Sequence, residues 1–203
     1  MATASVKKKK SKVKIPDYLV YEILDNKKIY YKNYEKVLSG QLPKEAIMGS
    51  SDLQSWIVSL IVEHLYKALD NKKYKILFNE VGYFYTKTRE GNWLNLDIAI
   101  VSREKLKKPQ GTYLKVPPEV VIEVDTKADL SEIGDEYFFL KTKRLLKSGV
   151  KKVIWIYTQA KKIMVAQDDK EWKIVDWNYD IEIIDGIILN LDEALEKELK
   201  GEE

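Results

Sequence analysis

Residues 118–127 read PEVVIEVDTK, and residues 94–101 read LNLDIAIV. Each stretch contains the near-continuous run of aliphatic residues that is typical of a strand buried on both faces. An acid interrupts each run, Glu123 in the first stretch and Asp97 in the second. Together the two stretches predict a central sheet that carries carboxylates within an apolar core.

The segments on either side of these strands predict the helices and outer strands of a mixed fold. Apolar residues recur at three- and four-residue steps over 52–69, which is typical of an amphipathic helix. A second helix is predicted over 130–148, ending at Gly149. The expected fold class is α/β (α+β), with a central mixed β-sheet flanked by helices and with N-terminal and C-terminal hairpins. The remaining predicted elements are strands at 76–86, 93–102, 119–126 and 150–158, hairpins at 18–31 and 162–177, and a helix at 191–199.

Positive charge is concentrated at the beginning of the chain. Residues 1–14 contain six lysines and no acid, and subtracting these lysines from the net charge of +3 leaves −3 for the remainder. We expect a disordered basic tail over 1–14, able to contact phosphate, and a single domain over 15–203. The tail lacks the apolar segment of a signal peptide, and no apolar stretch approaches the ~20 residues of a membrane span. These features predict a cytoplasmic protein without membrane contact.

The scarcity of two residue types excludes several classes of site. The chain has no cysteine, which excludes disulfides, thiolate zinc sites and cysteine nucleophiles. Its single histidine, His64, excludes multi-histidine metal sites and argues against a Ser-His-Asp triad. His64 lies beside the apolar stripe of the first predicted helix, where we interpret it as a core-edge residue with a hydrogen-bond partner. An enzyme of this composition has to use carboxylates, lysines and hydroxyl groups.

Three acids interrupt apolar strands on consecutive predicted elements: Glu80, Asp97 and Glu123. A buried and unpaired carboxylate costs several kcal/mol, so each needs a cation or a position near solvent. One such acid is most simply a strand-end residue or half of a structural ion pair. Three on neighbouring strands are better explained by a shared divalent cation.

Two lysines are candidates to accompany these acids. The two-residue period of a strand places Lys127 on the same face as Glu123 and Asp125, although a charged strand end facing solvent gives the same pattern. On the second predicted helix, Lys141 falls within the apolar arc, where its ammonium can reach back to the carboxylates of the sheet. Arg144 falls in the same arc, so both side chains can instead extend past the sheet edge to solvent.

In this order, Asp97, Glu123 and Lys141 resemble the Uma-type restriction endonucleases. This family was long catalogued as a domain of unknown function and is a branch of the PD-(D/E)XK nuclease superfamily. The resemblance extends from about Tyr21 to Leu199. The similar stretches are YEILD at 21–25, LDIAIV at 96–101, PEVVIEV at 118–124, GV at 149–150, VIWIY at 153–157 and IILNL at 187–191.

The resemblance implies a restriction-endonuclease-like fold and a Mg²⁺-dependent endonuclease that hydrolyses the phosphodiester bonds of DNA, with Mn²⁺ as a substitute metal. Asp97 and Glu123 would be catalytic metal ligands, Glu80 an auxiliary metal ligand and Lys141 the catalytic lysine. The chemistry is reasonable, because oxygen-bound Mg²⁺ neutralises phosphate charge and lowers the pKa of bound water, while a lysine stabilises the transition state.

The sequence departs from the family pattern at three places. Leu96 replaces the usual proline, and Gln54 or a neighbouring residue stands where many members have a histidine. The step 125–127, Asp-Thr-Lys, replaces an apolar-Ser-Pro step. The last departure leaves two candidates for the working lysine, and we favour Lys141 over Lys127.

Two alternatives to a DNA nuclease remain open at the level of sequence. The first is a catalytically inactive nucleic-acid-binding or assembly module that retains the nuclease fold, because the negative charge of the body is unusual for a DNA-binding surface. The second is a nuclease for RNA or for a branched substrate. Members of this branch are often dimeric, so the resemblance is also compatible with a homodimer.

Overall fold

The computed structural model describes residues 14–86, 91–106, 108–168 and 171–201. The predicted tail lies outside these ranges, apart from Lys14. The strands are β1 (Val20–Leu24), β2 (Lys27–Tyr30), β3 (Tyr74–Tyr83), β4 (Leu94–Ser102), β5 (Val120–Val124), β6 (Lys152–Tyr157), β7 (Lys162–Ala166), β8 (Trp172–Asp176), β9 (Ile181–Ile184) and β10 (Ile187–Leu189). The α-helices are α1 (Tyr34–Leu38), α2 (Glu45–Met48), α3 (Asp52–Ala68), α4 (Glu136–Lys147) and α5 (Leu191–Lys200).

Six of the strands form the central sheet, in the order β3-β4-β5-β6-β7-β8. The pairing of β5 with β6 is parallel, and the other neighbours are antiparallel. All five residues of β5 are buried, which explains its continuous aliphatic sequence. The prediction of a central mixed sheet flanked by helices, with hairpins toward both ends of the chain, is confirmed.

Helix α3 packs on one face of this sheet. Ser51 caps it by accepting a hydrogen bond from the backbone amide of Gln54, which satisfies a donor of the first turn. Its apolar stripe, including Ile57, Ile61 and Leu65, is buried against the sheet together with residues of β9, β10 and α5. Helix α4 and the β1–β2 hairpin cover the opposite face. The sheet therefore separates two apolar layers.

Several predicted boundaries differ from the structure, and two of the differences affect the site. Helix α4 begins at Glu136 rather than at residue 130, after a turn in which Gly134 has a φ of 60°. Strand β5 ends at Val124, because Asp125 takes a φ of 54° that leaves the extended region. The two-residue alternation consequently stops, and the predicted common face of Glu123, Asp125 and Lys127 does not exist.

The sequence analysis also missed the β9–β10 hairpin and the short helices α1 and α2. The hairpin turns at Asp185 and Gly186, whose φ values are 49° and 79°. Two consecutive positive φ angles are typical of a type I′ turn, which favours Asp-Gly between apolar segments. The signal was therefore present in the sequence. None of the helices in the described part of the chain is long and apolar enough to span a membrane.

Candidate active site

The ammonium group of Lys141 lies at the centre of a buried charge cluster. Its Nζ donates a hydrogen bond of 2.7 Å to the carbonyl oxygen of Asn95. It also lies 3.2 Å from Glu22 Oε2 and 3.2 Å from Glu123 Oε1. The side chain of Lys141 is 0% exposed. The sequence-based expectation that this lysine reaches back to a carboxylate of the sheet is confirmed.

The partners of Lys141 come from three strands. Glu22 lies on β1, Asn95 on β4 and Glu123 on β5, while Lys141 itself projects from the buried side of α4. The sequence analysis missed Glu22. The signal that identified the other acids was available for it as well, since Glu22 interrupts the apolar segment Val20–Leu24.

Glu22 is held by further donors. The hydroxyl group of Tyr137 donates to its Oε1, and the backbone amide of Asn95 donates to its Oε2 at 3.2 Å. The Asn95 side chain in turn donates to the carbonyl oxygen of Tyr21 at 2.6 Å. These bonds tie the N-terminal hairpin to β4 and α4, and they compensate the burial of the Glu22 carboxylate.

Three aromatic rings surround the ammonium of Lys141. Its Nζ lies 5.5 Å from the ring centre of Trp155 and 5.9 Å from those of Tyr21 and Tyr137, which are distances at which cation–π attraction acts. Burial by itself lowers the pKa of Lys141, but the carboxylates of Glu123 and Glu22 raise it above the usual lysine value. The lysine is therefore positively charged in the folded protein.

Asp97 lies beside this cluster and is oriented by α3. Its Oδ2 accepts hydrogen bonds from the backbone amide of Val124 at 2.8 Å and from Gln54 Nε2 at 3.4 Å. The same amide nitrogen of Gln54 donates to the Val124 carbonyl oxygen at 2.8 Å. Burial raises the pKa of Asp97 above its ordinary value, although the Val124 amide and then the ammonium groups of Lys141 and Lys127 oppose this effect.

Glu123 is the most deeply buried acid of the sequence-predicted set. The pairing of β4 with β5 ends at Ile98 and Ile122, and Asp97 and Glu123 are the next residues beyond this pair. The contact between Glu123 Oε1 and Lys141 is an ion pair without hydrogen-bond geometry, so its attraction is chiefly Coulombic. Burial raises the pKa of Glu123 well above its ordinary value, Lys141 opposes this, and the charges of Asp97 and Glu22 add to it.

A cleft of about 560 Å³ opens beside Asp97. Its walls come from the segment before α3, the first turns of α3 and the middle of β3. Lys127 also lines the cleft, whereas Glu123 does not. The lining residues are Met48, Gly49, Ser50, Gln54, Ser55, Val58, Ser59, Val62, Phe78, Asn79, Glu80, Asp97 and Lys127.

A bulge in β3 places Glu80 on the cleft wall. The pairing of β3 with β4 shifts between Phe78 and Val81, and Asn79 and Glu80 have φ values of 78° and 54°. The Glu80 carboxylate forms an ion pair with Lys127, whose Nζ also donates to the carbonyl oxygen of Met48 at 3.1 Å. Glu80 and Lys127 thus form an ion pair on the wall of the cleft.

The remaining polar residues considered from the sequence have structural partners. Asp125 accepts hydrogen bonds from the backbone amide and the hydroxyl group of Thr158, the first at 2.9 Å. His64 Nε2 lies 2.8 Å from the carbonyl oxygen of Ile188, as expected for a core-edge histidine. Arg144 pairs with Asp25 at 2.7 Å near the surface.

The acids can be assessed as a set for metal binding. Within residues 14–86, 91–106, 108–168 and 171–201, no three histidine, cysteine or acidic side chains form a group that could hold a metal ion. Mg²⁺ commonly uses only one or two carboxylates and completes its coordination with water and substrate phosphate. Asp97 and Glu123 are candidates for this smaller set, since both are buried and lie just beyond the last pair of β4 and β5. Burial raises the pKa of each acid, and a divalent cation beside them would oppose that effect.

The fold resembles that of solved proteins, while the sequence does not lead to a family. No family profile and no curated protein matches the sequence. Four chains of solved structures match the fold. One of them, from Anabaena variabilis, is described as a "putative nuclease belonging to DUF820". It superposes with a TM-score of 0.62 at 12% sequence identity, and the match covers 86% of this chain and 89% of that chain.

Proposed function

We propose that this protein is a metal-dependent nuclease that hydrolyses phosphodiester bonds, with DNA as its substrate. The observation that carries the proposal is the placement of Asp97. Asp97 lines an open cleft, and its charge acts on the buried Glu123, which is paired with Lys141. The solved structure described as a nuclease, which shares the fold, supports the same assignment.

Asp97 and Glu123 are the residues that would hold Mg²⁺ or Mn²⁺. A divalent cation at that position would neutralise phosphate charge and lower the pKa of an attacking water molecule. Burial raises the pKa of both acids, and a divalent cation beside them would oppose that effect.

The protein's own residues have distinct tasks in this proposal. Gln54 and the Val124 amide hold the Asp97 carboxylate in one orientation. Lys141 opposes the effect of burial on Glu123 and so favours its anionic form. The cleft beside Asp97 provides the space in which a phosphodiester can approach the acids.

The test is cleavage of supercoiled plasmid and of single-stranded DNA with Mg²⁺ or Mn²⁺. We expect metal-dependent cutting, and we expect Asp97→Asn to reduce the rate about 100-fold or more, because it removes charge where the metal is needed. Asp135→Asn is the matched control, since Asp135 is an exposed aspartate at the start of α4. Its activity should equal that of the unaltered protein.

Other results would point to other functions. Metal-dependent cutting of RNA but not of DNA would retain the site and change the substrate. Tight nucleic-acid binding without hydrolysis, together with no heat of metal binding, would favour the inactive binding module. Cutting that survives Asp97→Asn would contradict the site assignment.

A further inference from the structure

The two candidate lysines differ in their access to the cleft. The side chain of Lys141 is 0% exposed, and that of Lys127 is 10% exposed and lines the cleft. An ammonium group has three donors and no acceptor. Around Lys141, the carbonyl of Asn95 and the carboxylates of Glu22 and Glu123 supply three oxygen atoms. Lys141 thus donates one hydrogen bond and forms two ion pairs within the protein, and it does not line the cleft.

Lys127 has two oxygen partners and lies on the wall of the cleft. The acceptors that the described residues offer it are Glu80 Oε1 and the carbonyl oxygen of Met48. One N–H donor of its ammonium group remains for a ligand in the cleft. The Glu80 side chain is 30% exposed, so it can turn toward solvent without being buried unpaired.

We propose that Lys127 is the lysine that contacts the substrate, and that its ammonium exchanges the Glu80 carboxylate for a phosphate oxygen of the nucleic acid. In this arrangement Lys141 is a positioning residue that acts through Glu123. The inference rests on the proposed nuclease function and assigns the substrate contact within that site.

The free-energy cost of moving a lysine from its present partners to a phosphate oxygen is lower for Lys127 than for Lys141. The pair of Lys127 with Glu80 is more exposed than the pairs of Lys141, so water screens its attraction more strongly. Withdrawing Lys141 from Glu22 and Glu123 would instead leave two buried acids without their cation, which is strongly unfavourable. An incoming phosphate is also repelled by Glu80 until that carboxylate moves away.

The exchange gives Glu80 a role that differs from metal binding. If Glu80 competes with phosphate for Lys127, then Glu80→Gln should tighten the binding of nucleic acid and leave metal affinity unchanged. If Glu80 is instead an auxiliary metal ligand, the same substitution should weaken metal binding and slow cleavage. The two roles therefore predict opposite results for one variant.

The binding experiment uses a fluorescein-labelled single-stranded oligonucleotide, with Ca²⁺ replacing Mg²⁺ and with salt varied. We expect Lys127→Met to weaken binding several-fold and to reduce the slope of log affinity against log salt by about 0.7, the value for one phosphate contact on a single strand. Lys127→Arg should restore the slope. Lys143→Met, at an exposed lysine of α4, is the matched control and should change neither quantity.

Cleavage of the same oligonucleotide with Mg²⁺ completes the test. We expect Lys127→Met to lower kcat/KM, Lys127→Arg to recover part of it and Glu80→Gln to lower KM, with unchanged thermal unfolding in each variant. The proposal is overturned if the unaltered protein cleaves DNA and Lys127→Met binds and cleaves with the same affinity, salt slope and rate. It is also overturned if Glu80→Gln weakens metal binding. A protein that neither binds nor cuts nucleic acid would overturn the proposed function as well.

Discussion

The side-chain amide of Gln54 joins Asp97 to the end of the neighbouring strand. Its Nε2 lies 3.4 Å from Asp97 Oδ2 and 2.8 Å from the carbonyl oxygen of Val124. One residue in the first turn of α3 therefore fixes both an acid of the site and the backbone that donates to that acid. The family resemblance leads one to expect a histidine at Gln54 or a neighbouring residue, and Gln54 supplies a donor here.

Substituting this amide should affect both stability and the site. Gln54→Leu leaves the buried Val124 carbonyl oxygen without its donor, and we expect the free energy of unfolding to fall by about 1–3 kcal/mol. The Asp97 carboxylate also loses a partner that orients it, so metal affinity should fall about 10-fold or more. Urea denaturation and titration calorimetry with Mn²⁺ measure the two effects. Gln41→Leu, at an exposed glutamine, should show neither, and an unchanged metal affinity in Gln54→Leu would contradict the assignment.

Removing the charge of Lys141 should destabilise the protein in a pH-dependent way. Lys141→Met leaves Glu22 and Glu123 buried without their cation, and we expect a loss of about 3–5 kcal/mol in the free energy of unfolding at pH 7. Burial already raises the pKa of Glu123, and losing the ammonium raises it further. As pH falls, Glu123 takes up a proton in the folded state and the penalty shrinks. Urea denaturation at about pH 5 and pH 8 should therefore give the smaller loss at the lower pH.

The control for this experiment is Lys143→Met, an exposed lysine two residues along α4. We expect it to change the free energy of unfolding by no more than about 0.5 kcal/mol at either pH. A loss for Lys141→Met that does not depend on pH would indicate that packing, rather than the charges of the two acids, determines the cost.

Metal affinity should decline at a higher pH than is usual for carboxylate sites. Burial raises the pKa of Asp97 and of Glu123 above their ordinary values of 3.8 and 4.5. Protons therefore compete with a divalent cation while ordinary surface acids are still ionised. We expect Mn²⁺ affinity to fall as pH is lowered from about 8 to about 5, with proton release on binding. Calorimetry in buffers of different ionisation enthalpy detects that release, and constant affinity without release over this range would contradict the assignment.

An aromatic ring on the cleft wall should contribute to substrate binding. Phe78 lines the cleft and is 45% exposed, which is a large apolar surface to leave in water without a partner. If the substrate is a nucleic acid, a base can stack on this ring, and Phe78→Ala should then cost about 1–3 kcal/mol of single-strand binding. Phe139→Ala is the control, because Phe139 is similarly exposed but stacks on Trp172 away from the cleft. Fluorescence anisotropy should separate the two variants, and equal affinities would exclude stacking at Phe78.

The parts of the site that follow hydrophobic periodicity were accessible from the sequence. Lys141 interrupts the apolar arc of an amphipathic helix, and Asp97 and Glu123 interrupt buried strands, so each was identifiable as a charge in an apolar setting. Glu22 carries the same signal on a shorter strand and was overlooked. The central sheet and the long helices were also predictable, because buried apolar residues recur at regular spacing along each of these elements.

The features that depend on the backbone angles of single residues could not be predicted from the sequence. Nothing in the residue pattern indicates that Asn79 and Glu80 both adopt positive φ, or that Asp125 ends β5 in this way. The angles at Asn79 and Glu80 bring the Glu80 carboxylate to Lys127 on the cleft wall. The angle at Asp125 ends β5, so Lys127 does not share a strand face with Glu123. Tertiary contacts select such conformations, and a local pattern does not encode them.

The contacts of Lys141 have a consequence for how the protein matures. Its ammonium is balanced by Glu22 near the start of the chain and by Glu123 in the middle, and it projects from a helix that is synthesised after both. A nascent chain that has not yet formed α4 therefore contains two acids in its sheet with no cation between them. The charged centre is completed only when these distant segments have docked. Any property that depends on this centre therefore requires the chain to be complete through α4.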